Sequence, residues 1–231
     1  MTVILGLNAY HADAAAALVV DGRLIVAAEE ERFCRVKHWA GLPLEAVKAC
    51  LREAALDIRQ VQHIAINRDP RAHFLKKTLF ALSQRPSPGA VRDRLRNAAR
   101  VKDVRRNLEA GLALPPGSIT AAVHNVEHHR AHLASTFLVS PFEAAAVASV
   151  DGFGDFVSTM LAQGEGRRFT VLDQITFPHS LGLFYLALTQ YLGFRNYGDE
   201  YKVMGLAAYG KPDCLQDIRK LIQLKPRGRF Q

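Results

Sequence analysis

The opening of the chain, TVILGLNAYHADAAAALVVDGRLIVAAEEE at residues 2–31, decides the fold. TVILGLN is a short apolar run that reads as a buried strand. A polar loop with Asn8, His11 and Asp13 follows it. The apolar runs AAAALVV and RLIVAAE then flank Asp21-Gly22, the strongest short hairpin signal, because both turn positions require positive φ. The chain therefore opens with three strands in a meander.

Working outward, LPLEAVKACLREAAL places Leu44, Val47, Leu51 and Ala55 at a helical period. VQHIAIN is a fourth strand. Residues 72–83 and 90–110 read as helices, separated by the breaker RPSPG. SITAAVHNV is a strand, and residues 127–139 form a helix that stops near Pro141. AAAVASVDGFGD reads as a buried strand entering a glycine-rich turn. FVSTMLAQG and RFTVLDQITF are a hairpin pair joined at GEGR, and LGLFYLALTQYLGF is an apolar helix. Strands and helices in this order make an α/β protein. There is no low-complexity segment and no short-period repeat. The terminal LKPRGRFQ has a turn at Arg227-Gly228 that would lead into a further strand, so the chain is expected to stop short of its natural domain end.

The composition is that of a globular protein: 49% of the 231 residues are apolar, enough to bury a core. No apolar run reaches the roughly 18 residues needed to span a bilayer, and the N-terminus lacks the basic start of a signal peptide. Cys34, Cys50 and Cys214 are too widely spaced for a disulfide framework, which points to a reducing cytoplasm. The net charge of +8 is concentrated between Arg85 and Arg106. A basic stretch can face a polyanion, but this one has no aromatic residue to stack on a base, so nucleic acid is disfavoured as a partner.

The stretch NVEHHRAHLAS at residues 125–135 carries the chemistry. His128 and His132 are four apart, which puts both imidazoles on one helix face, one turn apart. Such a pair can share a metal at about 2.0–2.1 Å from each nitrogen. His129 points elsewhere. A carboxylate from another element commonly completes such a set, and Asp151 stands at a strand end followed by Gly152 and Gly154. Iron, zinc and manganese all suit two imidazoles and a carboxylate. The plain alternative is a set of surface histidines with Asp151 as a turn residue. In the first loop, Asn8, His11 and Asp13 could orient a hydroxyl, with His11 or Asp13 as general base, or form an ordinary capped turn. EEERFCRVKH offers cations for an anion, and YGDEYKVMGLAAYGKP sets Asp199, Glu200 and Lys202 beside small residues that allow close approach.

Together the stretches GLNAYHADAAAALVVDG, AAEEERFCRVKH, HHRAHLASTF, SVDGFGD, SLGLFYLALTQYLGF and DEYKVMGLAAYGKP resemble the N-terminal part of the O-carbamoyltransferase family, which includes nodulation and antibiotic carbamoyltransferases. They span residues 6–212; residues 67–118 carry no matching motif. The resemblance implies an actin-like ATPase (ribonuclease H-like) domain with mixed sheets flanked by helices, similar to the tRNA threonylcarbamoyl-transfer proteins. It implies an opening subdomain of about residues 1–120 and a metal-binding subdomain of about residues 121–231, incomplete at its C-terminus. It also implies a C-terminal YrdC-like domain, absent from this chain, that makes carbamoyl adenylate from carbamoyl phosphate and ATP. The first domain would then pass the carbamoyl group to a small-molecule or sugar hydroxyl.

By the same resemblance His128, His132 and Asp151 are metal ligands, with Fe2+ the expected ion and Zn2+ or Mn2+ compatible. Lys37 matches the carbamoyl-phosphate lysine, His11 and Asp13 match the catalytic loop, and Asn8 and Lys202 are substrate-side candidates. A homodimer is an open expectation. The other readings are a tRNA threonylcarbamoyl-transfer-like protein and an inactive, metal-stabilised binding module.

Overall fold

The computed structural model describes residues 1–84 and 103–231. Most of the basic stretch, and most of the helix expected over residues 90–110, lie outside the described residues. The chain divides into two compact units, Met1–His128 and His129–Gln231.

The first unit opens with β1 (Val3–Asn8), β2 (Ala15–Val20) and β3 (Arg23–Glu29), an antiparallel meander. Its β2–β3 turn has φ of 49° at Asp21 and 80° at Gly22, the mirror-image turn that matches strand twist. The short α1 (Glu31–Cys34) and then α2 (Leu44–Glu53) carry the chain back to β4 (His63–Ile66), which lies parallel to β1. A parallel neighbour cannot be reached by a tight turn, so this crossover needs the helical segment. After α3 (Phe74–Gln84) and α4 (Val104–Gly111), β5 (Ala122–Asn125) adds in parallel beside β4. The five-stranded order β3-β2-β1-β4-β5, with β2 the antiparallel partner of β1, is the order expected of a ribonuclease H-like unit.

Strand β1 alternates buried and half-buried residues, so Val3, Leu5 and Leu7 all face the core. Against them α2 turns one stripe of Ala46, Val47, Cys50 and Leu51. The Cys50 thiol points at the Ala16 carbonyl, and burial raises its pKa above that of an ordinary thiol. Glu30 is buried too: its carboxylate accepts the N–H groups of Glu45 and Ala46 at 3.1 and 2.8 Å. These are first-turn donors of α2 with no partner inside the helix, and a negative charge suits that end of the dipole.

The second unit is built on α5 (His128–Phe137), whose first residue, His128, is the last of the first unit. A three-stranded antiparallel sheet follows, β6 (Ala144–Gly154), β7 (Val157–Glu165) and β8 (Arg168–Thr176). Leu133 and Phe137 of α5 pack with Val147, Val157, Met160 and Ala162 of the sheet. Phe137 lies so close to Gly164 that a Cβ there would meet the ring at 2.6 Å. Helices α6 (Leu181–Tyr191), α7 (Glu200–Ala207) and α8 (Leu215–Leu221) complete the unit.

Two sequence expectations change here. β6 is half exposed rather than buried, and it does not end at Asp151. Asp151 and Gly152 stay within the strand through a register irregularity between Val150 and Gly154, and the turn falls at Asp155-Phe156, with φ of 49° and 78°. Glycine permits a turn but does not compel one, and strand pairing resumes at Gly154↔Val157. The terminal turn at Arg227-Gly228 is present, followed by a single bridge, Leu224↔Phe230.

Candidate metal centre and loop cluster

Residues His128 and His132 both face the irregular part of β6. One ring nitrogen from each and one Asp151 carboxylate oxygen all lie within 4.8 Å of one another. His132 Nε2 is 3.6 Å from Asp151 Oδ2, beyond a good hydrogen bond. Two ligands of one tetrahedral ion stand about 3.4 Å apart, given bonds of roughly 2.0–2.1 Å. That separation suits two ligands of one ion, and the three residues fit a divalent cation. His128 is nearly buried, whereas His132 and Asp151 are about half exposed.

The surroundings fix these three side chains. His129, fully buried, is held at both nitrogens: Nε2 donates to the Val157 carbonyl at 2.9 Å, and Nδ1 is 2.8 Å from Ser149 Oγ. A carbonyl only accepts, so Nε2 carries the hydrogen and Nδ1 can accept from the serine hydroxyl. Ser149 stands two residues before Asp151 on β6. On the other side of Asp151, Ser180 caps α6: its Oγ accepts from Leu183 N at 3.0 Å and faces the carbonyls of Asp151 and Gly152. A Cβ on Gly182 would lie 2.5 Å from Gly152 N and 2.6 Å from the Asp151 carbonyl, so only glycine lets α6 approach this closely. Asp151 Oδ1 also takes the N–H of Gly152 at 2.6 Å.

The first-loop candidates lie next to this group, the His11 ring centroid being 6.1 Å from that of His128. Asn8 spends its amide hydrogens on its own loop, donating to the carbonyls of Ala12 and Asp13 at 3.2 and 2.8 Å, while its Oδ1 accepts from Asn67. His11 is exposed, with Nδ1 3.2 Å from the Ala12 carbonyl. Asp13 Oδ1 is bonded to His38 Nδ1 at 2.8 Å, and Glu31 Oε2 accepts the His38 backbone N–H at 3.2 Å. Lys37 is exposed beside this group.

Lys202, on α7, is ion-paired to Asp199 at 2.6 Å. The pairing raises the lysine pKa and, with the Asn196 N–H, lowers that of Asp199.

The structure thus joins His128, His132 and Asp151, ties Asp13 to His38, and engages Lys202 with Asp199. Reasoning from residue types missed His38, His129, Ser149, Ser180 and Gly182. Ser180 was legible as a serine before an apolar helix. His129 was legible only as the histidine facing away from the pair.

A family model for the carbamoyltransferase N-terminus matches residues 3–231. The protein sll1178 of Synechocystis sp. is 40% identical over 243 residues, covering all of this chain and 38% of that protein. Nodulation protein NolNO of Sinorhizobium fredii is 37% identical over 227 residues, covering 97% of this chain and 32% of that protein. The chain thus spans about a third of the length of these curated relatives. Among solved structures, YeaZ from Pseudomonas aeruginosa is similar with a TM-score of 0.39 and 18% identity, over 77% of this chain and 68% of that one. On the match to nearly its whole length, the chain belongs to the carbamoyltransferase N-terminus family.

Proposed function

We propose that this chain is the acceptor-side portion of an O-carbamoyltransferase. In this reading it passes a carbamoyl group from carbamoyl adenylate, made from carbamoyl phosphate and ATP, to a hydroxyl of a small-molecule or sugar acceptor. Family membership across residues 3–231 carries the reading. His128, His132 and Asp151 would hold a divalent ion, Fe2+ by the resemblance, with Zn2+ or Mn2+ suited to the same donors. When bound, such an ion supplies positive charge against phosphate oxygens and the leaving group. Lys37 would meet carbamoyl phosphate as an exposed point charge. Lys202 would contribute to a nucleotide phosphate only in competition with Asp199. A loop base, His11 or Asp13 in the sequence reading, would take the hydroxyl proton. A C-terminal YrdC-like part would form the adenylate. No helix among the described residues is long and apolar enough to cross a membrane.

The test is transfer of label from radiolabelled carbamoyl phosphate, with ATP and the full-length protein, to N-acetylglucosamine, tobramycin or tRNA. Label on a hydroxylated small molecule, with AMP released in equal amount, is the expected result. Label on tRNA alone would support the threonylcarbamoyl-transfer reading, and label on none of them the inactive binding module.

A further inference from the structure

Within the proposed carbamoyl transfer, on which this step rests, we infer that His38 is the general base for the acceptor hydroxyl and that Asp13 is its positioning residue. The inference starts from the 2.8 Å bond between Asp13 Oδ1 and His38 Nδ1. An ionised carboxylate only accepts, so Nδ1 carries the hydrogen, and in the neutral ring Nε2 holds the lone pair. A base oriented by a third group is the arrangement that activates hydroxyl nucleophiles on unrelated folds. Among the described residues no carboxylate is bonded to His11; its Nδ1 lies 3.2 Å from the carbonyl of the next residue and its ring 6.1 Å from that of His128. Both members of the pair are within reach of an acceptor, the His38 side chain being 37% exposed and that of Asp13 45%.

The backbone supplies an independent argument. Tyr10, Asp13, Arg35 and His38 all have left-handed φ, between 55° and 60°, and none is glycine. Such conformations persist where surrounding structure enforces them, and they cluster at functional sites. Here the enforcing contacts are visible. Tyr10 N donates to the Gly41 carbonyl at 3.0 Å, Ala14 N donates to the Trp39 carbonyl at 2.9 Å, and Glu31 Oε2 takes the His38 N–H. The two loops are zipped together, and their strained positions carry the two side chains that meet. Asp13, Glu31 and His38 also lie within 4.8 Å as a group, but the 2.8 Å contact is a hydrogen bond between imidazole and carboxylate.

The step balances. The acceptor O–H bond breaks and its proton goes to His38 Nε2. The oxygen lone pair forms a bond to the carbamoyl carbon, and the carbon–oxygen bond to the phosphate breaks. AMP leaves with that electron pair, and the imidazolium returns its proton to solvent.

Hydroxylamine separates a base from a structural clasp, because its neutral nitrogen attacks without prior proton removal and yields hydroxyurea. The full-length protein is assayed with carbamoyl phosphate and ATP, using N-acetylglucosamine and tobramycin as hydroxyl acceptors and hydroxylamine in parallel. His38→Gln is expected to lower hydroxyl carbamoylation by about 10²–10⁴-fold while hydroxylamine carbamoylation falls only a few-fold. Asp13→Asn should give the same selective pattern at smaller size, and added imidazole should partly restore hydroxyl transfer to His38→Ala. Equal loss on both kinds of acceptor would make the pair a structural clasp. Unchanged hydroxyl transfer in His38→Gln, or the selective loss appearing in His11→Gln instead, also overturns the inference. A wild-type protein that carbamoylates none of the three overturns the transfer reading, and this assignment falls with it.

Discussion

Several acidic side chains in this protein are fixed by the backbone donors they accept from. Glu109, at the end of α4, takes the Ile119 N–H at 2.9 Å, and bonds from Ile119 and Gly117 hold its carboxyl below the usual carboxylate range. A carboxylate whose pKa is lower in the folded than in the unfolded state adds stability that is fully present above the unfolded value, about 4.3 for Glu. That stability fades as pH falls through the folded value. Glu109→Gln is therefore expected to be less stable than the wild type at pH 7, with the difference shrinking below about pH 4. Urea unfolding midpoints at pH 7 and pH 3 check this; a difference that grows on acidification contradicts it. Glu30 makes the same point for reading sequence. In EEERFCRVKH it looked like one more solvated charge, yet it is buried at the start of α2. Composition cannot tell a capping carboxylate from a surface one when the donors are fifteen residues away.

At the scale of elements, the helix α5 and strand β6 matter as a pair. Helical spacing made it legible that His128 and His132 share a face, because 3.6 residues per turn leaves little choice. What holds that face toward β6 was not legible, since it depends on His129 meeting Ser149 and Val157 across a gap that sequence spacing does not encode. Replacing His129 by leucine leaves a buried hydroxyl and a buried carbonyl without their partner. The expected cost is about 2–6 kcal/mol, from roughly 1–3 kcal/mol for each of the two lost buried partners. If this anchor also sets the ligand geometry, affinity for a divalent ion should fall by about 10–100-fold. Chemical denaturation and metal titration of the same variant read both effects; an unchanged midpoint would show that the anchor carries no weight. β6 also explains one misreading. The segment Asp-Gly-Phe-Gly has turn composition, but it stays within β6 through the register irregularity, and the turn falls at Asp155-Phe156.

Taken whole, the order of elements was readable because each strand of the meander is bounded by an unambiguous signal, such as the Asp21-Gly22 turn. Less visible was that the second unit repeats the opening of the first: three antiparallel strands, then a helix, with Asn8 at the end of one leading strand and Asp151 near the end of the other. Apolar alternation is satisfied by many residues, so two units can share a topology without any repeat in their letters. The candidate site shows the same division. Residue types and spacing singled out His128, His132, Asp151 and Asp13. Their neighbours His129, Ser180, Gly182 and His38 became visible only when distant segments were brought together.

Of these side chains, the three around the β6 irregularity carry the central claim, that they share one divalent ion. The direct measurement is elemental analysis of the purified protein after anaerobic loading with Fe2+, Zn2+ or Mn2+ and removal of excess metal, comparing wild type with the His128→Ala, His132→Ala double variant. A single retained ion per chain in the wild type, lost in the double variant while its circular dichroism spectrum is preserved, is the predicted result. Equal metal retention in both proteins would contradict the account.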